Sequence, residues 1–338
     1  MLTIDGSYGE GGGQILRSSL TLSLLTKKAV TLHNIRAGRQ KPGLMRQHLA
    51  CVEAAAKIGG AEIDGAKIGS QELCFRPKEI RGGEFEFAIG SAGSTMLLLQ
   101  TVLLPLLCGA QEPSRLILQG GTHNPFAPPF DFIDRVFLPL LRRMGAEVTV
   151  KLQRCGFYPV GGGYLEVDIS PSRLSATELT ERGELLSTQV VALGHGVPDE
   201  ILLDESNILA ELLGAPPEEA KTRQVDSPGS GNALFAEFRF AEFSELFTAF
   251  GERGVSRRRV AEAVAAEALA YLSSGAPIGE HLADQLLLPL AVAGGGRFAT
   301  CKLTDHFESN RKVIESFMPI QIQTKQINET KYEVEVRS

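Results

Sequence analysis

Three times along the chain a short β-rich run passes through a turn of small residues into a helical stretch. No other feature narrows the fold as much. Residues 2–4 lead through Gly9-Glu10-Gly11-Gly12-Gly13 into 14–25, and residues 85–89 lead through Gly90-Ser91-Ala92-Gly93-Ser94 into 95–107. A weaker third instance runs from a strand at 296–303 through Thr304-Asp305-His306 into a helix at 308–317. Strand, tight turn and helix at wide intervals predict a mixed α+β fold with internal duplication.

One stretch breaks the rhythm. Between about Gly183 and Ser274 the pattern predicts a strand at 186–193, a helix at 200–213 and strands at 220–225 and 234–240. A helix then runs from Ser256 as its cap to Leu272, with Val260, Val264 and Tyr271 on one side. This β-α-β-β-α unit holds few chemically suggestive residues and reads as an insert, residues 183–274. The larger, discontinuous domain then covers 1–182 and 275–338.

Composition excludes several classes. Hydrophobic residues make up 43% and charged residues 22%, the profile of a soluble globular enzyme. The longest apolar run, 96–110, is interrupted by Gln100 and Pro105 and is too short to span a bilayer. No signal peptide is expected, since Asp5 and the glycines begin at once. Five cysteines without paired spacing fit a reducing cytoplasm, with neither a disulfide framework nor a zinc site. A net charge of −6 argues against coating long duplexes, so any nucleic acid would be gripped at a short end through a local basic patch.

Five segments carry candidate chemistry. Gly9 to Gly13 before a helix can converge backbone N–H groups on an anion, although the spacing is not a Walker A loop. Glu10 inside that loop would repel phosphate unless a divalent cation, Mg²⁺ or Mn²⁺, lay between them; a turn with a solvated glutamate reads equally well. The segment from Arg36 to His48 gathers Arg36, Arg39, Lys41 and Arg46, suited to a polyanionic end or else a solvated basic face. Gly120-Gly121-Thr122-His123-Asn124-Pro125 with Ala127-Pro128-Pro129-Phe130-Asp131 predicts a rigid loop in which His123 is a hydrogen-bonded residue. Gly161-Gly162-Gly163 precedes a strand and predicts a close-packed turn. Asp284 and Gln285 open a helix, where they can hydrogen-bond a ribose or base or, as local grounds favour, cap it.

These pieces in this order closely resemble the RNA 3'-terminal phosphate cyclases over nearly the whole chain. The family's glycine signature appears as Cys155-Gly156-Phe157-Tyr158-Pro159-Val160-Gly161-Gly162-Gly163, with Cys155 where the family has a basic residue and Arg154 one place earlier. The resemblance implies three repeated β/α units, enolpyruvyl-transferase-like, with a smaller thioredoxin-like insert. It implies that His306 attacks the α-phosphorus of ATP, carries AMP, and passes it to an RNA 3'-phosphate, which the vicinal 2'-hydroxyl then closes into a 2',3'-cyclic phosphate.

Carried over by position, ATP would be held by Arg17, Gln100 and the run His281-Leu282-Ala283-Asp284-Gln285. Glu10 would hold Mg²⁺ or Mn²⁺, and Arg36 and Arg39 would take the triphosphate or RNA 3'-phosphate end. Asp131 is a weaker candidate. Neutral imidazole at pH 7 suits the role given to His306. The implied protein works in the cytoplasm without membrane contact and leaves room for a homodimer. The rivals are an enolpyruvyl-type transferase, which needs no nucleophilic histidine, and a non-catalytic ribosome-assembly relative, which has lost it.

Overall fold

The first glycine-rich turn separates β1 (Leu2–Asp5) from α1 (Gly13–Thr26), with Gly9 and Gly11 at φ of +58° and +60°, where a side chain is costly. The computed structural model describes all 338 residues, Met1–Ser338. After α1 the chain forms β2 (Val30–His33), α2 (Arg46–Gly59), β3 (Glu62–Asp64) and β4 (Leu73–Arg76), giving a sheet in the order β1-β2-β4-β3. Its β1–β2 pair is parallel and the other two pairs are antiparallel.

A second sheet obeys the same rule. β5 (Gly83–Ala88), α3 (Thr95–Gly109) and β6 (Ser114–Gly120) come first. A helical segment passes from α4 (Phe130–Phe132) through a π-turn (Ile133–Phe137) into α5 (Leu138–Arg143). β7 (Glu147–Arg154) and β8 (Gly163–Ser170) close the order β5-β6-β8-β7, again with one parallel pair at the start. Helix α3 is apolar on nearly every side, Gln100 excepted, and is buried accordingly, with Ser94 Oγ accepting from the Leu97 N–H at its start.

Strand β9 (Glu178–Leu179) precedes a fourth group: β10 (Leu185–His195), α6 (Asp199–Leu213), β11 (Ala220–Gln224), β12 (Gly231–Phe240), β13 (Ser244–Phe250) and α7 (Arg257–Ser274). Their sheet runs β11-β10-β12-β13. The chain then returns with α8 (Glu280–Val292), β14 (Gly295–Thr300), α9 (Asp305–Phe317), β15 (Gln321–Asn328) and β16 (Lys331–Arg337). These strands pair with β9 in the order β9-β14-β16-β15, the first pair parallel. Three sheets therefore share one connection pattern, and the fourth lies in sequence between β9 and α8.

Two expectations are corrected. The stretch 183–274 contains a strand not foreseen, β13, so its order is β-α-β-β-β-α. Its turn from β12, Ala241-Glu242-Phe243, has none of the Gly, Pro, Asn or Asp that marks a hairpin. The last long helix also starts at Asp305 rather than 308, because Thr304 caps it by accepting from the Phe307 N–H at 3.1 Å. His306 thus sits within the first helical turn, not in a loop before it. The apolar core is one continuous cluster that includes residues of all four sheets. No helix is long and apolar enough to cross a membrane.

Candidate active site

Where α1, α8 and α9 begin, and α3 passes alongside, a cleft of about 890 Å³ opens. Its wall includes Glu10, Arg17, Arg36, Arg39, Gln100, His281, Asp284, Gln285 and His306, so nearly every residue singled out from sequence faces one space. Leu282 and Ala283 do not. Both are wholly buried in the core on the other face of α8, so any contact they made with a ligand would run through their backbone.

His306, half exposed in the first turn of α9, is oriented by a residue that no sequence motif singles out. Its Nδ1 lies 2.5 Å from Gln14 Oε1. The Gln14 amide is itself oriented, since its Nε2 donates to Asp284 Oδ2 at 3.3 Å. With the amide nitrogen directed at the acid, its oxygen meets Nδ1 as acceptor, which places the ring proton there. Nε2 points to Glu10 Oε2 at 3.0 Å. Burial pushes the imidazole pKa below its ordinary value; Asp284 pulls it up, while Arg17, His281 and Arg39 lower it further. The neutral, nucleophilic form is favoured at pH 7.

Asp284 is not the helix cap that local reasoning favoured. Gly279 occupies that position, and Asp284 lies in the second turn, facing inward. Burial pushes its carboxyl up to about 6, against lowering by His306, His281, Gln14 and Arg17. Its backbone carbonyl accepts from Asn310 Nδ2 at 2.7 Å, and Asn310 accepts in turn from Ser18, which ties α8 to α9 and α1. Asp284 Oδ1 is buried with no partner, an unmet acceptor on the cleft wall.

The cations differ in how far they are committed. The Arg17 guanidinium makes neither an ion pair nor a hydrogen bond, and burial lowers its pKa. A half-buried, unpaired guanidinium facing a cleft is a site for an anion. Beside it His48 is held neutral: burial first, then Arg17 and Arg36, pushes its pKa down to about 3, while its Nδ1 accepts from the Met45 N–H. Arg36 donates to the Lys41 and Gly43 carbonyls at 2.7 and 2.9 Å, which leaves its charge unneutralised. Arg39 contacts Glu10 Oε1 directly. Glu10 is a lone carboxylate here, and no group of three or more His, Cys, Asp or Glu side chains is gathered as an ion site.

Across the cleft Gln100 Nε2 donates to Gln285 Oε1 at 2.5 Å, and Gln285 Nε2 donates to the His281 carbonyl. Strand β13, unforeseen from sequence, contributes Leu246, Thr248, Ala249 and Phe250 to the wall. It also carries Glu245, which accepts from the Gly279 N–H at 2.7 Å and so caps the start of α8 from a different sheet. Burial pushes that carboxyl up to about 7.

Other sequence candidates lie outside the cleft. Asp131 is buried between His123 Nε2 at 2.9 Å, Arg135 at 3.2 Å and Arg223 at 3.4 Å, and Arg135 continues to Glu237 at 2.9 Å. Burial would raise the Asp131 carboxyl, but His123, Arg135 and Arg223 outweigh that and hold it low. This is a structural knot, with His123 the hydrogen-bonded loop residue expected. The Gly161–Gly163 run is the close-packed turn foreseen, and Arg154 Nε donates to the Gly162 carbonyl at 3.0 Å. Cys155 is buried, and its thiol is pushed up to about 12 by burial.

Comparison with known proteins covers the chain almost end to end. A family model described as RNA 3'-terminal phosphate cyclase matches residues 8–324. The RNA 3'-terminal phosphate cyclase of Pseudomonas fluorescens is 48% identical over 336 residues, covering 99% of this chain and 97% of its own. That of Ectopseudomonas mendocina is 48% identical over 337 residues, covering 99% and 98%. The Salmonella typhimurium protein of the same name is 48% identical over 322 residues, covering 95% and 94%.

Proposed function

The chain belongs to the RNA 3'-terminal phosphate cyclase family and is an enzyme of that type; from this premise we propose that it works through AMP carried on His306. In this reading His306 Nε2 attacks the α-phosphorus of ATP, the bond to the β-phosphate oxygen breaks, and pyrophosphate leaves. An oxygen of the RNA 3'-phosphate then attacks the same phosphorus, freeing the imidazole and leaving the RNA end joined to AMP. The vicinal 2'-hydroxyl attacks the RNA phosphorus, loses its proton to solvent, and expels AMP as the 2',3'-cyclic phosphate forms. Splitting the transfer makes each step an in-line displacement with a good leaving group.

The observation that carries this proposal is the Asp284–Gln14–His306 relay. It supports a ring whose Nδ1 holds the proton, so that Nε2 carries the attacking lone pair once the nucleotide displaces Glu10 from it. Glu10 faces Nε2 and can accept a proton from the imidazolium form. Arg17 would bind phosphate, and Arg36 and Arg39 the RNA end. Gln100, His281, Asp284 and Gln285 would take base and ribose. Glu10 also suits Mg²⁺ or Mn²⁺ brought in on phosphate oxygens, since such ions are often held by one carboxylate plus phosphate. When bound, the ion would neutralise charge on the phosphates.

The shared order of three sheets supports three copies of one β/α unit, spanning 1–182 and 275–338. The fourth sheet would be a domain inserted at 183–274 into the third copy. The scattered free cysteines support work in a reducing cytoplasm.

The test is incubation with [α-³²P]ATP and Mg²⁺ or Mn²⁺. The protein should take up acid-labile label, and His306→Ala should abolish it while keeping the same circular dichroism and melting temperature. Acid-labile AMP on His306→Ala would show that the nucleophile lies elsewhere.

A further inference from the structure

The loop after β6 is a motif that the reaction above leaves unused. It is pinned at its base: His123 bonds Asp131, the Asn124 amide donates to the Ala92 carbonyl, and the Phe130 N–H donates to the Thr122 carbonyl at 3.0 Å. Pro125, Pro128 and Pro129 stiffen what lies between. At the tip stands Phe126, fully exposed, with its backbone at φ +61°. A bulky side chain in the left-handed region is held there against its preference. The cleft wall includes Phe126 together with Phe132, Phe137 and Phe250; Phe132 and Phe137 are buried and Phe250 is half-buried, so Phe126 alone offers a whole free ring.

We infer that Phe126 is a stacking platform for the terminal nucleobase of the RNA, a proposal that rests on the functional reading above. A small nucleotide is taken up inside a cleft, with most of its surface covered. A ring that packs against nothing of its own protein stands instead at the rim, where a polymer end must pass on its way in. Aromatic faces bind bases of any identity, and a rigid loop loses little freedom on binding. The platform would hold the last base so that the 3'-phosphate reaches Arg36 and Arg39 while the preceding chain stays in solvent.

The experiment uses the full-length protein with Phe126→Ala and Phe126→Trp. Self-labelling is measured with ATP alone. Cyclisation is measured on a short RNA 3'-phosphate and on the same RNA with an abasic last nucleotide. Phe126→Ala should raise KM for the intact RNA about tenfold, with a smaller change in kcat. It should also erase the preference for intact over abasic RNA and leave self-labelling unchanged. Phe126→Trp should restore the preference. Unchanged KM and an unchanged preference in Phe126→Ala would overturn the assignment. Slowed self-labelling would overturn it too, by giving the ring to ATP. If the unaltered protein neither labels nor cyclises, the functional reading falls and this proposal falls with it.

Discussion

Gly11-Gly12-Gly13 and Gly161-Gly162-Gly163 are the same tripeptide, yet the first leads into helix α1 and the second into strand β8. Their surroundings differ as much as the elements they open. A methyl group on Gly13 would run into His48 Nε2 and would meet Arg17 Nη1 at 2.9 Å, the ends of two side chains on the cleft wall. A methyl on Gly161 would meet the Ala92 Cα at 2.7 Å, and one on Gly156, in the same signature, would run into the Gly120 carbonyl and the Gly163 nitrogen. The first run makes room for reactive groups, and the second lets two backbones touch. Glycine content alone does not separate a binding loop from a packing joint; the atoms a side chain would displace do.

Substitutions can break that contrast. The largest effect is expected from Gly156→Ala, where backbone must move on both sides. Chemical denaturation should show a loss of about 3 kcal/mol or more. Gly13→Ala should do the reverse, keeping the melting temperature within a few degrees while self-labelling from ATP falls about a hundredfold as Arg17 and His48 are displaced. Equal stability losses in the two variants would erase the distinction.

Gly279 is an intermediate case, because a methyl there would meet Glu245 Oε2 at 2.8 Å, a buried carboxyl rather than backbone or a cleft group. Glu245 titrates near 7 when folded against 4.5 ordinarily, so the folded state binds the proton more tightly than the unfolded chain. Its contribution to stability is therefore most favourable below pH 4.5 and is lost as pH rises through 7. Glu245→Gln should flatten the stability profile between pH 5 and 8 by on the order of 2 kcal/mol. A residual slope of the same sign would remain from Glu205 and Asp284, which burial also raises. An unchanged profile would show that Glu245 is not the titrating cap.

Much of this was legible in advance, for reasons particular to each element. The starts of α1 and α3 come from glycine and serine turns ahead of apolar runs, signals that act over a few residues. The cleft residues were legible one by one, since His306, Arg17 and Glu10 stand in motifs with distinctive chemistry. Gln14 was not legible as the partner of His306, because the two are 292 positions apart and only the packing of α1 on α9 joins them. Nor was Glu245, which looks like any polar residue of an exposed hairpin until β13 is laid against α8. Asp131 looked like a binding carboxylate. Its pairing with His123, Arg135 and, from another sheet, Arg223 shows that its charge is already spent.

Arg223 and Glu245 together have a further consequence. The group β10 to α7 is fastened to the rest of the chain at several points, among them the β6 loop and α4 through Asp131 and the head of α8 through the Gly279 N–H. Excising it and rejoining the chain would strip a cation from a sealed-in acid and leave an amide bare beside His281. An abridged version of this protein would thus lose its reaction chamber first, before any strand of the remaining sheets came apart.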